Sequence, residues 1–204
     1  MDSAQVITAF VTLFVVLDPI GLAPLFVALT AGADARHRRA VAVRAYLIGA
    51  GILTLFGLAG EAVLGFVGIS MSAFRIAGGI LLFLTALDML FERRTKRRGD
   101  QQARAEDPSV FPLATPLIAG PGAIATMILL TTQDGGDWAR VAMIHGVMLA
   151  VIAVGLLFML AAGAIERILG PTGINVVTRL LGMLLAALSV QFVLDGLADL
   201  GFGP

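Results

Sequence analysis

The chain contains no cysteine among its 204 residues, which excludes disulfide cross-links and thiolate metal sites. Charge is scarce as well. Asp, Glu, Lys and Arg together make up 14%, where a soluble domain carries about 25%. Their formal sum is zero, which argues against a nucleic-acid partner, because phosphate binding needs a basic surface. The opening residues MDSAQVITAF lack the basic region and small-residue cleavage site of a signal peptide. The first apolar run is therefore expected to stay in the protein as a membrane helix. Signatures of catalysis are missing too. There is no HExxH, GxSxG or P-loop pattern. The two histidines, His37 and His145, stand at no spacing from Ser70 or Ser72 that supports a hydrolase dyad. Neither enzymatic activity nor a cofactor is expected.

What remains is apolar. Hydrophobic residues make up 58% of the chain and the mean hydropathy is +0.96, as in an integral membrane protein. A spanning helix needs roughly 20 apolar residues. Six runs qualify: about 6–30, 41–60, 73–91, 110–132, 140–165 and 178–200. The expected fold class is all-α, with six transmembrane helices in a single transmembrane domain over residues 1–204, lying in a lipid bilayer. The longest polar interval is ERRTKRRGDQQARAEDPS. It reads as a cytoplasmic linker, 92–109, between halves at 1–91 and 110–204.

Basic residues are distributed unevenly. Arg36, Arg38, Arg39 and Arg44 lie in or beside the first loop. Arg93, Arg94, Lys96, Arg97, Arg98 and Arg104 lie in the third, and Arg167 and Arg179 in or beside the fifth. Only Arg75 and Arg140 fall on the other side, a split of 12 against 2 among the 14 Lys and Arg residues. Positively charged loops stay in the cytoplasm. Loops one, three and five are therefore expected inside, and both termini outside.

A weak repeat relates the halves. Pro19 and Pro24 recur as Pro116 and Pro121, an offset of 97 in each case (116 − 19 and 121 − 24). RIAGGILLFLT from Arg75 recurs as RLLGMLLAALS from Arg179, at an offset of 104 (179 − 75). Three spanning segments per half is an odd number, so the second half must enter the membrane from the opposite side. The expectation is a 3+3 inverted-topology repeat, as in many secondary transporters, with the site where the repeats meet. Gly78, Gly79 and Gly182 suit close helix contact. Arg75 and Arg179 are expected to extend to the lipid headgroups.

The first and fourth segments are interrupted. LFVVLDPIGLAPLFVALTAG, residues 13–32, holds Asp18, Pro19, Gly21 and Pro24 in an apolar run. Its counterpart holds Thr115, Pro116, Gly120, Pro121 and Gly122. Proline inside a helix removes a donor and frees the carbonyl four residues earlier, at a cost of about 3 kcal/mol. Backbone freed in this way must be buried in protein or line a wet cavity. Pro24 and Pro121 are expected to start second half-helices, since proline suits the first helical position. The N–H groups that follow form a positive pole for a carboxylate, and the freed carbonyls a pole for an ammonium or a cation. Together they fit a zwitterion. Asp18 costs roughly 2.5–3.5 kcal/mol near the bilayer centre on insertion scales. Three roles are open to it: accepting from a substrate ammonium, carrying a proton, or capping freed N–H groups. Gln191, in the sixth segment, is a further candidate to line the cavity or to bond between helices.

The stretches LDPIGLAPLF, PLATPLIAGPGAIAT, RIAGGILLFL and RLLGMLLAALSVQFVLDG resemble the MarC-related membrane proteins, also classed as the small neutral amino acid transporter family. The resemblance covers essentially the whole chain, and AGPG at 119–122 is its most specific element. It implies a six-helix, multi-pass protein of the bacterial inner membrane, which makes the outer location of the termini periplasmic. It also implies movement of glycine, alanine and similar small neutral amino acids, with export favoured over uptake. A coupling proton or sodium ion is left open. Drug or small-solute efflux, a channel, and a non-transporting membrane scaffold stand as alternatives. This chain has Leu22 where the family pattern often has asparagine after the first glycine. Asp18 matches one of the family's two usual choices, Asp or Asn.

Overall fold

Every regular element among the described residues, 3–91, 107–133 and 137–202 of a computed structural model, is helical. The expected linker at 92–109 lies outside them apart from Asp107, Pro108 and Ser109. Five helical stretches are long and apolar enough to cross a bilayer. The bent pair Ser109–Ile118 and Pro121–Thr132 makes a sixth when its parts are taken as one span. The first span is two helices, α1 (Ser3–Leu17) and α2 (Pro19–Leu29). α3 (Ala35–Val67) and α4 (Met71–Leu90) follow. After the π-helical segment Ser109–Ile118 come α5 (Pro121–Thr132), α6 (Trp138–Leu160) and α7 (Ala162–Asp199).

Helix ends are set by caps rather than by where apolar residues run out. Asp34 accepts from the His37 amide at 2.7 Å, so α3 begins at Ala35 rather than near 41. Gly68, at φ 80, closes α3 with a left-handed C-cap. Two residues on, Ser70 accepts from the Ala73 amide at 3.2 Å and starts α4. Asp137 does the same for α6 through the Arg140 amide, at 2.7 Å. α7 carries a comparable interruption within its length, where Gly170 at φ 61 precedes Pro171. The last segment, expected from about 178, is thus already helical on the N-terminal side of that glycine.

Lipid tails are as apolar as leucine, so helices in a bilayer associate through close packing, which small residues permit. α4 and α7 show this most directly. A Cβ at Gly79 would lie 2.8 Å from the Ser189 carbonyl oxygen, and one at Gly196 3.0 Å from that of Ser72. A Cβ at Gly182 would lie 3.0 Å from Met89. Contacts descend α7 as they climb α4, so the pair is antiparallel. Arg75 pairs with Asp199 at 2.7 Å and ties the start of α4 to the end of α7. A carboxylate on the neighbouring helix end is within its reach. Gly78 faces Ala125 and Leu129 of α5 instead.

α3 lies parallel to the fourth span. Arg44 pairs with Asp107 at 2.6 Å, and Cβ atoms at Gly49, Gly57 and Gly60 would meet Ile118, Met127 and Ile128 in turn. α6 runs antiparallel to α3. The Gly57 notch receives the His145 ring, and Tyr46 lies against Gly155. α1 runs alongside α6, with Phe14 edge-on to Phe158 at a centroid distance of 6.0 Å. At one end of the bundle Thr132 Oγ1 meets Met71 Sδ at 3.6 Å. At the other, Arg38 stands over the Phe26 ring, 5.6 Å from its centroid. Leu47, Phe66, Leu84, Leu157 and Leu194 are exposed, as suits a bundle solvated by lipid.

Candidate functional site

The first break is built by three residues, Asp18, Pro19 and Gly21. Asp18 adopts φ 49 and ψ 59, the left-handed region that Asp tolerates better than most residues. Pro19, which lacks a donor, takes the first position of α2, where no donor is needed. The Asp18 carboxylate accepts from the Gly21 amide at 3.0 Å, a side-chain N-cap. Gly21 makes room for it, since a Cβ there would collide with the carboxylate. Backbone bonding is largely preserved across the break. The Asp18 amide donates to the Phe14 carbonyl and the Leu22 amide to that of Asp18, both at 3.0 Å.

One expectation is corrected here. Pro24 does not start the half-helix; α2 starts at Pro19, and Pro24 lies inside it. The reason is the cap, which sits at Asp18 and not before Pro24. Of the roles open to Asp18, capping is the one its geometry displays. Its side chain is fully buried.

The second break is looser. Phe111 (φ −131, ψ 127) and Thr115 (φ −129, ψ 128) are extended, because a residue before proline is pushed out of the α region. The Phe111–Pro112 and Thr115–Pro116 peptide bonds are cis. Amides reach five residues back: Leu113 to Pro108 at 3.3 Å and Ala119 to Ala114 at 2.8 Å. The Thr115 hydroxyl donates to the Val110 carbonyl at 3.3 Å. The first half of the fourth segment is therefore π-helical and irregular, not the α-helix expected from 110. The chain then bends by 51°, and α5 starts at Pro121 with Gly120 as its N-cap, as its sequence implied. Glycine offers no capping side chain. The Gly122 and Ala123 amides, in the first turn of α5, are left without a side-chain cap.

The two breaks come together. A Cβ at Gly122 would lie 3.0 Å from Leu82, 3.7 Å from Thr85 Oγ1 and 3.9 Å from Val16. The start of α5 thus faces α1 two residues before Asp18, with the middle of α4 alongside. Asp18, Pro19, Gly120 and Gly122 are buried, while Gly21, Pro24 and Thr115 are half-buried. Pro116 and Pro121 are exposed. Gln191 does not join them. It is exposed, and its amide donates to Asp195 on its own helix at 2.7 Å, which corrects both the cavity and the interhelical reading. An acid one turn along the same helix is simply nearer.

Sequence reasoning missed Tyr46. It is the single tyrosine of the chain, set inside an apolar run, and that singularity is the signal that would have found it. It is 1% exposed and within electrostatic reach of Asp18. Arg140 was also missed. It is nearly buried; its Nε donates to the Leu130 carbonyl at 3.1 Å and its Nη2 to Gln133 Oε1 at 2.7 Å. This sets a cation on the C-terminal end of α5, where the helix dipole favours it. Outside the spans, the Ser109 hydroxyl and amide bond to Asp107, and with Arg44 they hold its carboxyl below the usual carboxylate range.

A bundle of five or six spans, with two interrupted segments facing each other in its interior, is a polytopic integral membrane protein. The description "MarC family integral membrane protein" matches residues 3–200, and the chain belongs to that family. A UPF0056 membrane protein of Archaeoglobus fulgidus is 38% identical over 195 residues, 94% of this chain and 91% of that one. A UPF0056 membrane protein of Aquifex aeolicus is 35% identical over 199 residues, 95% of this chain and 92% of that one. The UPF0056 inner membrane protein YhgN of Escherichia coli is 35% identical over 195 residues, 95% of this chain and 96% of that one. No solved structure matches the chain.

Proposed function

We propose that the protein is a secondary transporter of small neutral amino acids such as glycine and alanine, working as an exporter from a site between the two breaks. One observation carries this reading: unlike poles occupy neighbouring buried breaks. Asp18 contributes a carboxylate at the first, and the uncapped amides of Gly122 and Ala123 lie at the second. An ammonium is drawn to the first and a carboxylate to the second. A zwitterion satisfies both. Small side chains are favoured because Gly122 is hemmed in by Leu82, Thr85 and Val16. The reading uses one anion pole rather than two, since the Asp18 carboxylate itself occupies the Gly21 amide at the start of α2.

The 3+3 inverted repeat belongs to the same proposal. Each half opens with an interrupted segment, continues with a long helix, and has a left-handed glycine, Gly68 or Gly170, ahead of its last helical stretch. The charge split of 12 against 2 supports periplasmic termini, and the inner-membrane name of the Escherichia coli relative supports that location. A proton or a sodium ion supplies the coupling.

Purified protein in liposomes, loaded with unlabelled glycine or alanine, tests the reading. Saturable counterflow of the labelled amino acid is expected. Flux of drug cations without amino acid counterflow favours efflux of other solutes, and non-saturating flux favours a channel. Absence of any flux leaves a scaffold and refutes the proposal.

A further inference from the structure

Tyr46 is buried where a hydroxyl needs a partner. It is 1% exposed, and its Oη makes no hydrogen bond among the described residues. The phenol end lies against Gly155 of α6, where a Cβ would stand 2.6 Å from Oη and 2.9 Å from Cζ. Any larger residue at 155 would displace the hydroxyl, so α3 and α6 are shaped around it. A buried hydroxyl without a partner loses its hydration and gains nothing in return. Phenylalanine would fill the same space without that loss. The oxygen therefore has a use that packing does not supply: it awaits an acceptor that comes and goes.

Depth places it at the breaks. Asp18 lies 11 residues before the end of α2 (29 − 18), and Tyr46 lies 11 residues after the start of α3 (46 − 35). The two helices are joined by the short turn at 30–34. At 1.5 Å per residue both stand roughly 16 Å from that turn. Both are buried in protein rather than turned to lipid, and the phenol is within electrostatic reach of Asp18.

We propose that Tyr46 is a substrate-binding residue whose hydroxyl donates to the carboxylate of an α-amino acid while the ammonium faces Asp18. The assignment rests on the transporter reading above. An α-amino acid carries both charged groups on one carbon, so the donor for one end must stand close to the acceptor for the other. Asp18 and Tyr46 lie at matched depth on consecutive helices, within electrostatic reach of one another. A carboxylate has two oxygens. At least one of them is open to the phenol. Tyr46 then distinguishes amino acids from simple amines, which carry no acceptor.

The test compares the intact protein with Tyr46→Phe, measuring binding of glycine and of ethylamine together with thermal melting. Glycine affinity is expected to fall about tenfold or more, as on losing a hydrogen bond to a charged group. Ethylamine binding is expected to stay as it was, and the melting temperature to hold or rise once the unpaired hydroxyl is gone. Unchanged glycine affinity overturns the assignment while leaving the transporter reading standing, and so does an equal loss for glycine and ethylamine. A lower melting temperature shows that the hydroxyl serves the fold, and overturns it too. Failure of the unmodified protein to bind glycine or alanine refutes the transporter reading itself, and the assignment with it.

Discussion

Asp18 combines a cap and a charge, and three substitutions separate them. Asn keeps an oxygen that can accept from the Gly21 amide and tolerates left-handed backbone. Gly adopts φ 49 freely and forfeits only a few tenths of a kcal/mol at an N-cap. Ala loses the cap, about 0.5–2 kcal/mol, and meets a left-handed penalty of roughly 1–2 kcal/mol. The two sum to about 1.5–4 kcal/mol. Thermal melting of the purified variants should therefore place Asn near the unmodified protein, Gly slightly below it and Ala lowest. Glycine binding should follow a different order. All three substitutions remove the carboxylate, so each is expected to weaken glycine about tenfold or more, Asn included. If Ala melts with the unmodified protein, the left-handed cap carries no energetic weight and the account of the break is wrong. If the Asn variant is stable and binds glycine undiminished, the cap stands and the ammonium role falls.

Pro24→Ala restores a donor toward the Ile20 carbonyl inside α2, so melting should rise while glycine affinity holds; lost affinity would show that the α2 interior belongs to the site. Pro121→Ala should change little in either measurement, because Gly120 already ends the preceding segment and the Gly122 and Ala123 amides stay uncapped; a large effect on binding contradicts that geometry. Gly79→Ala places a methyl 2.8 Å from the Ser189 carbonyl oxygen and should cost about 1–3 kcal/mol by overpacking, read as a lower melting temperature. For orientation, cysteines at Ser3 and Phe202 should react with an impermeant thiol reagent in spheroplasts while one at Ala31 does not; the reverse pattern overturns the charge argument.

Membrane class and the number of apolar runs follow from composition, because a bilayer of fixed thickness demands runs of about 20 apolar residues whatever their partners. Several boundaries are local chemistry as well. Pro121 after Gly120 starts a helix by a rule that spans two residues. Asp34, Gly68 and Ser70 end or start helices through atoms at most five positions away. The first break was harder, since Pro19 and Pro24 compete for one helix start and the decision fell to the left-handed turn at Asp18. The pairing of Arg75 with Asp199 lies beyond such rules, being 124 positions apart in sequence. So do the notch at Gly155 that receives Tyr46 and the approach of Gly122 to Val16. In a soluble helix the inward face is marked by apolar residues against a polar background. Here lipid-facing Phe66 and Leu157 are as apolar as buried Leu53 and Leu82, so the pattern along a helix does not say which side meets protein. Only the tertiary structure decided that, through the shapes that let glycines bring one backbone against another.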